Sequence, residues 1–329
     1  MTKEIIGKLN LRMFDGNTNV TTDNGMSPEM TKFYNKNLIK EFKPQLVHSQ
    51  FAQKRPLPKN GGKTVDFRKF ESLPPIKTPL EEGVTPQGQK INVVNKTATI
   101  EQYGAFAEYS DMISTTTVDN TVLEMQELLA TQGGQTMDVV DRDIMHSTTN
   151  VLYAPKADGT EVTSIAGLDG TCKVTVDLIK RGVNILTRMN AKPVDKYFVC
   201  IIHPDIAYDI MSDKAWIEAS EYAGSQQIFE GEIGKIGRVR FVESTMAKIF
   251  DGGVYGTLLF GANAYGTIDL EGMGLQTIIK PLGSGGTADP LNQRGTIGWK
   301  GAKTGVVLSP EYILDIYSKA TNSGIAKAN

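Results

Sequence analysis

The side chains able to do chemistry are few and scattered. The 329-residue chain holds three histidines, His48, His146 and His203, and two cysteines, Cys172 and Cys200. No histidine has a partner at metal-ligand spacing such as HExxH. His203 precedes Pro204 at an expected strand-to-helix turn. There it is either a base or, as the spacing favours, a side chain satisfying a helix N-terminus. No Ser sits in GxSxG, and neither cysteine has a CxxC or a neighbouring base. Cys200 lies in the apolar run 197–202, where a small buried thiol is expected. Two cysteines are too few for a disulfide framework and fit a reducing compartment.

Three further motifs bear on chemistry. Gly62-Lys63-Thr64 looks like the end of a phosphate-binding loop. Leu57 stands where the first Gly of that loop belongs, and a strand rather than a helix is expected after Thr64. Glu81-Glu82 is a carboxylate pair, but neighbours on a strand point to opposite faces, so ion pairing suits them better than acid/base work. Gly283-Ser284-Gly285-Gly286 precedes no helix-forming run and reads as a surface turn. No catalytic, cofactor-binding or metal-binding residue emerges, and no cofactor is expected.

Charge carries more information. From Thr31 to Lys69 there are ten Lys or Arg against Glu41 and Asp66. That leaves +8 on the segment and, with a net charge of -2, -10 on the rest. A basic stretch on an acidic chain implies attachment to something acidic. The partner is either nucleic acid, open for Lys32, Lys36, Lys40 and Lys43, or another copy. The second is favoured, because the segment lacks the aromatic platforms of a single-strand binder. The first residues lack a signal-peptide core, and no apolar stretch approaches the roughly 20 residues that span a bilayer. Synthesis in the cytoplasm and no membrane partner are therefore expected.

The elements that position these residues read as an α+β chain. Residues 1–26 are polar, an arm. Ser27-Pro28-Glu29 opens a helix to about Phe42. Strands are expected at 64–70, 91–100 and 103–109, with prolines and Gly83 between, an extended excursion with no core of its own. Val118 to Met145 reads as a helix of roughly 40 Å, capped by Thr117 and then Asn120. Its apolar stripe is Val118, Val122, Met125, Leu129, Gly133, Met137, Val140 and Ile144. Gly133-Gly134 inside it costs about 1 kcal/mol per Gly and implies a close approach or a bend. A second α+β module follows, with helices from Thr175 to about 189 and from Pro204 to 211. Its strands are expected at 197–202, 239–243, 256–261 and 275–279. Residues 295–308 read as one or two strands, and 312–318 as a strand or a short helix.

The run FYNKNLIKEFKPQLVHSQFAQKRPLPKNGGKTVDFRKFESLPP, followed by TPLEEGVTP, resembles the major capsid family of N-four-like podophages, related to crAss-like phages. TIEQYGAFAEYSD, HPDIAYDIM, EGEIGKIGRVRFVEST and IIKPLGSGGTADPLNQRGTIGWK are similar to that family too, so the likeness extends from about Phe33 to Tyr317. It implies the Hong Kong phage-type capsid fold. Residues 1–55 would be the N-terminal arm and 56–103 the extended loop. Residues 104–169 would be the peripheral domain with its spine helix, 170–282 the axial domain, and 283–329 the return to the peripheral domain.

The implied function is a structural subunit of a tailed-phage virion, with assembly in the host cytoplasm. Hexamers and pentamers would close an icosahedral shell around double-stranded DNA, touched non-specifically on its inner face. Portal, scaffolding or decoration proteins would be further partners. Candidate contacts between copies are Lys54, Arg55, Lys59, Lys63, Arg68 and Lys69, with Glu81, Glu82 and Glu101 as acids on the neighbour. Some members of this fold cross-link through Lys and Asn; no motif here assigns such a pair, and none is expected. The alternatives are a nanocompartment shell of the same fold, or a nucleotide-binding enzyme using Gly62-Lys63-Thr64.

Overall fold

The computed structural model describes residues 18–19, 47–58, 61–71, 73–80, 82–86, 88–117, 121–223, 234–270, 273–322 and 328–329. The expected arm and its 27–42 helix lie outside them, β1 apart. In chain order the strands are β1 (Thr18–Asn19), β2 (Gln53–Leu57), β3 (Thr64–Phe70), β4 (Val93–Thr99), β5 (Glu101–Ser110), β6 (Val151–Tyr153), β7 (Phe198–Ile202), β8 (Lys235–Ile236), β9 (Val239–Glu243), β10 (Ile249–Phe250), β11 (Val254–Phe260), β12 (Tyr265–Leu270), β13 (Gln276–Lys280), β14 (Arg294–Val307) and β15 (Ile313–Ser318). The helices are α1 (Asp111–Thr116), α2 (Thr121–Met145), α3 (Val176–Arg188), α4 (Pro204–Met211) and α5 (Lys214–Ala223).

The chain divides into two compact units. The first holds residues 1–43, 102–134 and 273–302; the second holds 44–101, 135–272 and 303–329. In the first, β14 pairs with β5 and, antiparallel, with β13, and β1 joins β5 in parallel. A Cβ on Gly133 would lie 2.7 Å from Leu275 Cδ1 and 3.0 Å from Trp299 Cδ2. The glycine therefore marks a close approach of other side chains to the helix backbone. Trp299 Nε1 donates to Gln132 Oε1 at 3.1 Å beside it.

The expected capping of the long helix by Thr117 involves residues 118–120, which lie outside the described residues. Thr117 itself is the C-cap of α1, donating its N–H to the Ile113 carbonyl, and its own backbone is extended. The short α1 was not anticipated. Ser110 caps its N-terminus, and the hydroxyls of Thr115, Thr116 and Thr117 bond back to carbonyls four residues earlier. Val118 and Asn120 lie outside the described residues.

The second unit is built on a mixed sheet in the order β6-β15-β11-β7-β9-β8, with β10 on β11. β7, β11 and β15 are buried along their whole lengths, so they read as unbroken apolar runs rather than alternating ones. On one face Leu259, Leu314, Ile316, Phe198 and Cys200 share a core with Leu178, Ile179 and Leu186 of α3 and Ile206 and Ile210 of α4. Thr175 caps α3, accepting from Leu178 N, and Gly182 lets that helix sit against Leu259 and Leu314. On the other face Leu258, Phe260, Val199, Ile201 and Ile313 pack with Val47, Met145 and Tyr265. The 312–318 ambiguity resolves to β15, which pairs with β11 throughout.

Candidate functional site

The extended excursion is a hairpin. β3 and β4 pair antiparallel from Thr64↔Thr99 to Phe70↔Val93. Gly62 stands before β3 with φ of 90°. The strand that follows rules out the phosphate-loop geometry, which needs a helix N-terminus. Along its strands the hairpin is attached to its own unit. Phe67 is buried against Gly266 of β12 and lies 5.4 Å beneath the Arg55 guanidinium. Lys69 Nζ meets Glu311 Oε2 at 3.1 Å and stands over the Tyr312 ring at 5.4 Å. The last rung joins Glu71 N to the Asn92 carbonyl at 3.1 Å.

Beyond that rung, the described residues of 73–91 form no helix or strand and bury nothing. Ile76 and Leu80 are 73% and 75% exposed, and Leu73, Val84 and Ile91 are exposed as well. Phe70 and Val93 extend this apolar surface onto the strands. So many large apolar side chains on a segment with no core mark a surface made to be covered.

The charged candidates divide by position. Lys54 and Arg55 are exposed on β2, which pairs parallel with β12, so they belong to the sheet edge rather than to a free arm. Lys63 is exposed in the turn before β3, and its carbonyl accepts from Ile100 N at 2.9 Å. Arg68 is exposed on β3 opposite Asn95. Lys69 already has a partner within the chain, Glu311. Glu82 is exposed in the loop, and Glu101 is exposed at the start of β5. Lys59 and Glu81 lie outside the described residues.

A group that sequence reading missed holds residues 47–49 against the second half of α2. The buried face of the second half of α2 is Asp138, Asp141, Arg142 and Met145, not the expected Met137, Val140 and Ile144, which are only half-buried. The spacing is helical, so the face is continuous, but its content is polar. Asp138 Oδ2 meets His48 Nδ1 at 2.7 Å, and Oδ1 accepts from Ser49 N at 3.1 Å and from Ser49 Oγ at 3.3 Å. Val47 N also reaches Asp138, at 3.4 Å. Lys303 Nζ donates to Asp141 Oδ2 at 2.7 Å and to Ser49 Oγ at 3.0 Å, closing the network. Tyr265 donates its hydroxyl to the His48 carbonyl. Burial opposes ionisation of Asp138, but His48 and the Ser49 and Val47 N–H groups outweigh it and hold the carboxyl below its ordinary value. One turn on, Arg142 binds the Met246 carbonyl at 2.8 Å and both oxygens of Asn329. His146 then meets Asp315 of β15 at 2.7 Å.

None of this makes a reaction centre. His203 accepts from Asp205 N at 3.2 Å and caps α4. Burial pushes the Cys200 thiol far up, so it is not a nucleophile. Among the described residues no group of His, Cys, Asp or Glu could hold a metal, and no helix is long and apolar enough to cross a membrane.

Comparison with solved structures settles the architecture. No family model and no curated protein matches the sequence. The capsid of cyanophage P-SCSP1u superposes with a TM-score of 0.66 at 14% identity, covering 92% of this chain and 97% of that one. The capsid of cyanophage Pam1 gives 0.67 at 12% identity, over 90% and 98%. The head protein of Helicobacter pylori bacteriophage KHP40 gives 0.66 at 11% identity, over 92% and 99%. The fold is the Hong Kong phage-type capsid fold. The match spans nearly the full length of these chains.

Proposed function

We propose that this chain is the major capsid subunit of a tailed phage. The observation that carries the reading is the hairpin loop, which leaves Leu73, Ile76, Leu80, Val84 and Ile91 uncovered on a chain whose fold is that of shell proteins. In a closed ring of identical copies each chain meets the next through two different surfaces, so a segment without its own core can be covered by a neighbour. Hexamers and pentamers of this kind join into a shell that encloses double-stranded DNA. The role is structural rather than enzymatic. In this reading residues 1–55 are the arm, 56–103 the extended loop, 104–169 the peripheral domain and 170–282 the axial domain. The last segment, 283–329, completes the peripheral domain and also supplies β15 to the buried sheet. Membership of the N-four-like group is supported by the sequence runs quoted above. Portal, scaffolding or decoration proteins and the packaged DNA are the remaining partners, with assembly in the host cytoplasm.

Among the charged candidates, the exposed Lys54, Arg55, Lys63 and Arg68 are proposed to meet Glu82 or Glu101 of a neighbour. Lys69 serves first to hold the hairpin to its own unit. The test is negative-stain microscopy of the purified protein beside Ile76→Asp/Leu80→Asp. Wild type should give closed shells tens of nanometres wide. The variant should give soluble, folded subunits and no shells. Normal shells from the variant would remove the hairpin from the interface.

A further inference from the structure

The first unit carries an edge strand with no mate on its outer side. β13 pairs with β14, and no strand among the described residues takes its other edge. All five of its residues are exposed. Ile278 and Ile279 are 41% and 47% exposed although neighbours on a strand leave opposite faces, so both faces are bare there. Such a strand is a template for another, and chains usually blunt it with charges, Pro or a bulge. Within β13 the one charge is Lys280, at its end, with Pro281 following. Ile278 also ends an apolar row. It stands opposite Gly298 of β14, and a Cβ on Gly298 would come within 2.8 Å of Phe106 Cβ, so Phe106 of β5 lies over the glycine. Phe106 is itself 68% exposed. The row therefore runs uncovered from β5 to the sheet edge.

We propose that β13 pairs antiparallel with β13 of a second copy across a two-fold axis, Ile278 opposite Ile278, and that this contact joins one ring to the next. The inference rests on the ring assembly proposed above, in which the hairpin loop serves contacts within a ring and another surface must link rings. A two-fold contact uses the same patch on both copies, so the patch must complement itself. β13 does. Outward N–H and C=O groups come from alternate residues and must face one another, so the strand can meet itself only when centred on a residue. Centring on Ile278 overlaps the whole strand and sets Thr277 opposite Ile279. It also keeps the two Lys280 ammonium groups at opposite ends, each across from Gln276. The Phe106–Ile278 row of one copy then continues into that of the other.

The test is Ile278→Lys/Ile279→Lys in the full chain, read by sedimentation and microscopy. The change sets like charges across the contact and leaves the backbone pairing with β14 in place. Closed shells should fall about tenfold or more while ring-sized oligomers remain, because like charges directly opposite oppose association. Normal shells would overturn the proposal. So would folded single subunits without rings, since the strand would then serve within a ring; the shell reading would survive in both cases. Wild type that forms no particle would instead overturn the shell reading, and this contact with it. If the variant does not fold, single cysteines replace it. Ile278→Cys in oxidised particles should link subunits in pairs, because facing Cα atoms about 4.5–5.5 Å apart suit a disulfide. Ile279→Cys should not link, because its own copy lies on the diagonal, about 7–8 Å away. The native Cys172 and Cys200 are buried and do not compete. Unlinked Ile278→Cys particles, or linked Ile279→Cys particles, would refute the register and the contact.

Discussion

Replacing Asp138 by Ala should be among the most damaging single changes in the chain, and its cost can be worked from the network. The carboxylate accepts from His48, from the Ser49 and Val47 backbone and from the Ser49 hydroxyl. His48 and Asp138 are buried, and β2 follows closely, so the loop has little freedom to retreat to water. Each buried donor left unmet costs about 1–3 kcal/mol. Asp138 meets several such donors, so their sum reaches about 3–5 kcal/mol. A loss in that second range is a large share of a typical total of about 5–15 kcal/mol. Asp138→Asn keeps one acceptor but replaces the other oxygen with an NH2 donor, which leaves Val47 N or Ser49 N unmet, so a smaller cost of about 1–3 kcal/mol is expected. Urea unfolding of unassembled subunits, followed by circular dichroism, should rank wild type above Asn above Ala. Amide exchange should show Ser49 losing protection in the Ala variant. Since the Asp138 carboxyl titrates below its ordinary value, its ionised form contributes stability above the usual carboxylate range. That contribution is lost as pH falls through the lowered value, so the gap between wild type and Asn should close below about pH 4. An Ala variant within 1 kcal/mol of wild type, or no worse than Asn, would refute the account of the network.

The remaining expectations are narrower. Arg68→Glu/Lys69→Glu should abolish particles while the subunit stays soluble, and part of the effect should come from the lost Lys69–Glu311 contact. Lys69→Glu/Glu311→Lys should therefore recover more assembly than Lys69→Glu alone, as counted by microscopy. Gly133→Ala gains about 1 kcal/mol of helix propensity but forces Leu275 and Trp299 aside at about 1–3 kcal/mol, so a lower melting temperature is expected. Cys172 and Cys200 are both fully buried and their thiols are pushed up, so neither should react with a thiol reagent at neutral pH until urea unfolds the chain. Mature particles boiled in detergent should run as a single subunit band, since no Lys–Asn linkage is expected; a multimer ladder would contradict this.

Local rules made much of the chain legible. Pro204 after His203 and Thr175 before Val176 located two helix starts, because capping is decided within one turn. The unbroken apolar run at 198–202 located a buried strand, and the prolines between 74 and 86 located the loop with no core. The sequence also dismissed Gly62-Lys63-Thr64 as a phosphate site, since a strand follows it. Tertiary structure alone decided what faces what. Periodicity placed Met137, Val140 and Ile144 on the inner face of α2, but the buried positions are Asp138, Asp141 and Arg142. Their partners, His48, Lys303 and Asn329, come from distant parts of the chain, and a hydrophobic count cannot see a polar face that satisfies itself. Lys69 likewise looked available for a neighbour until Glu311, 242 residues away in sequence, proved to hold it. Capping and strand runs are local and could be read; the pairing of buried charges depends on which distant segments the fold brings together.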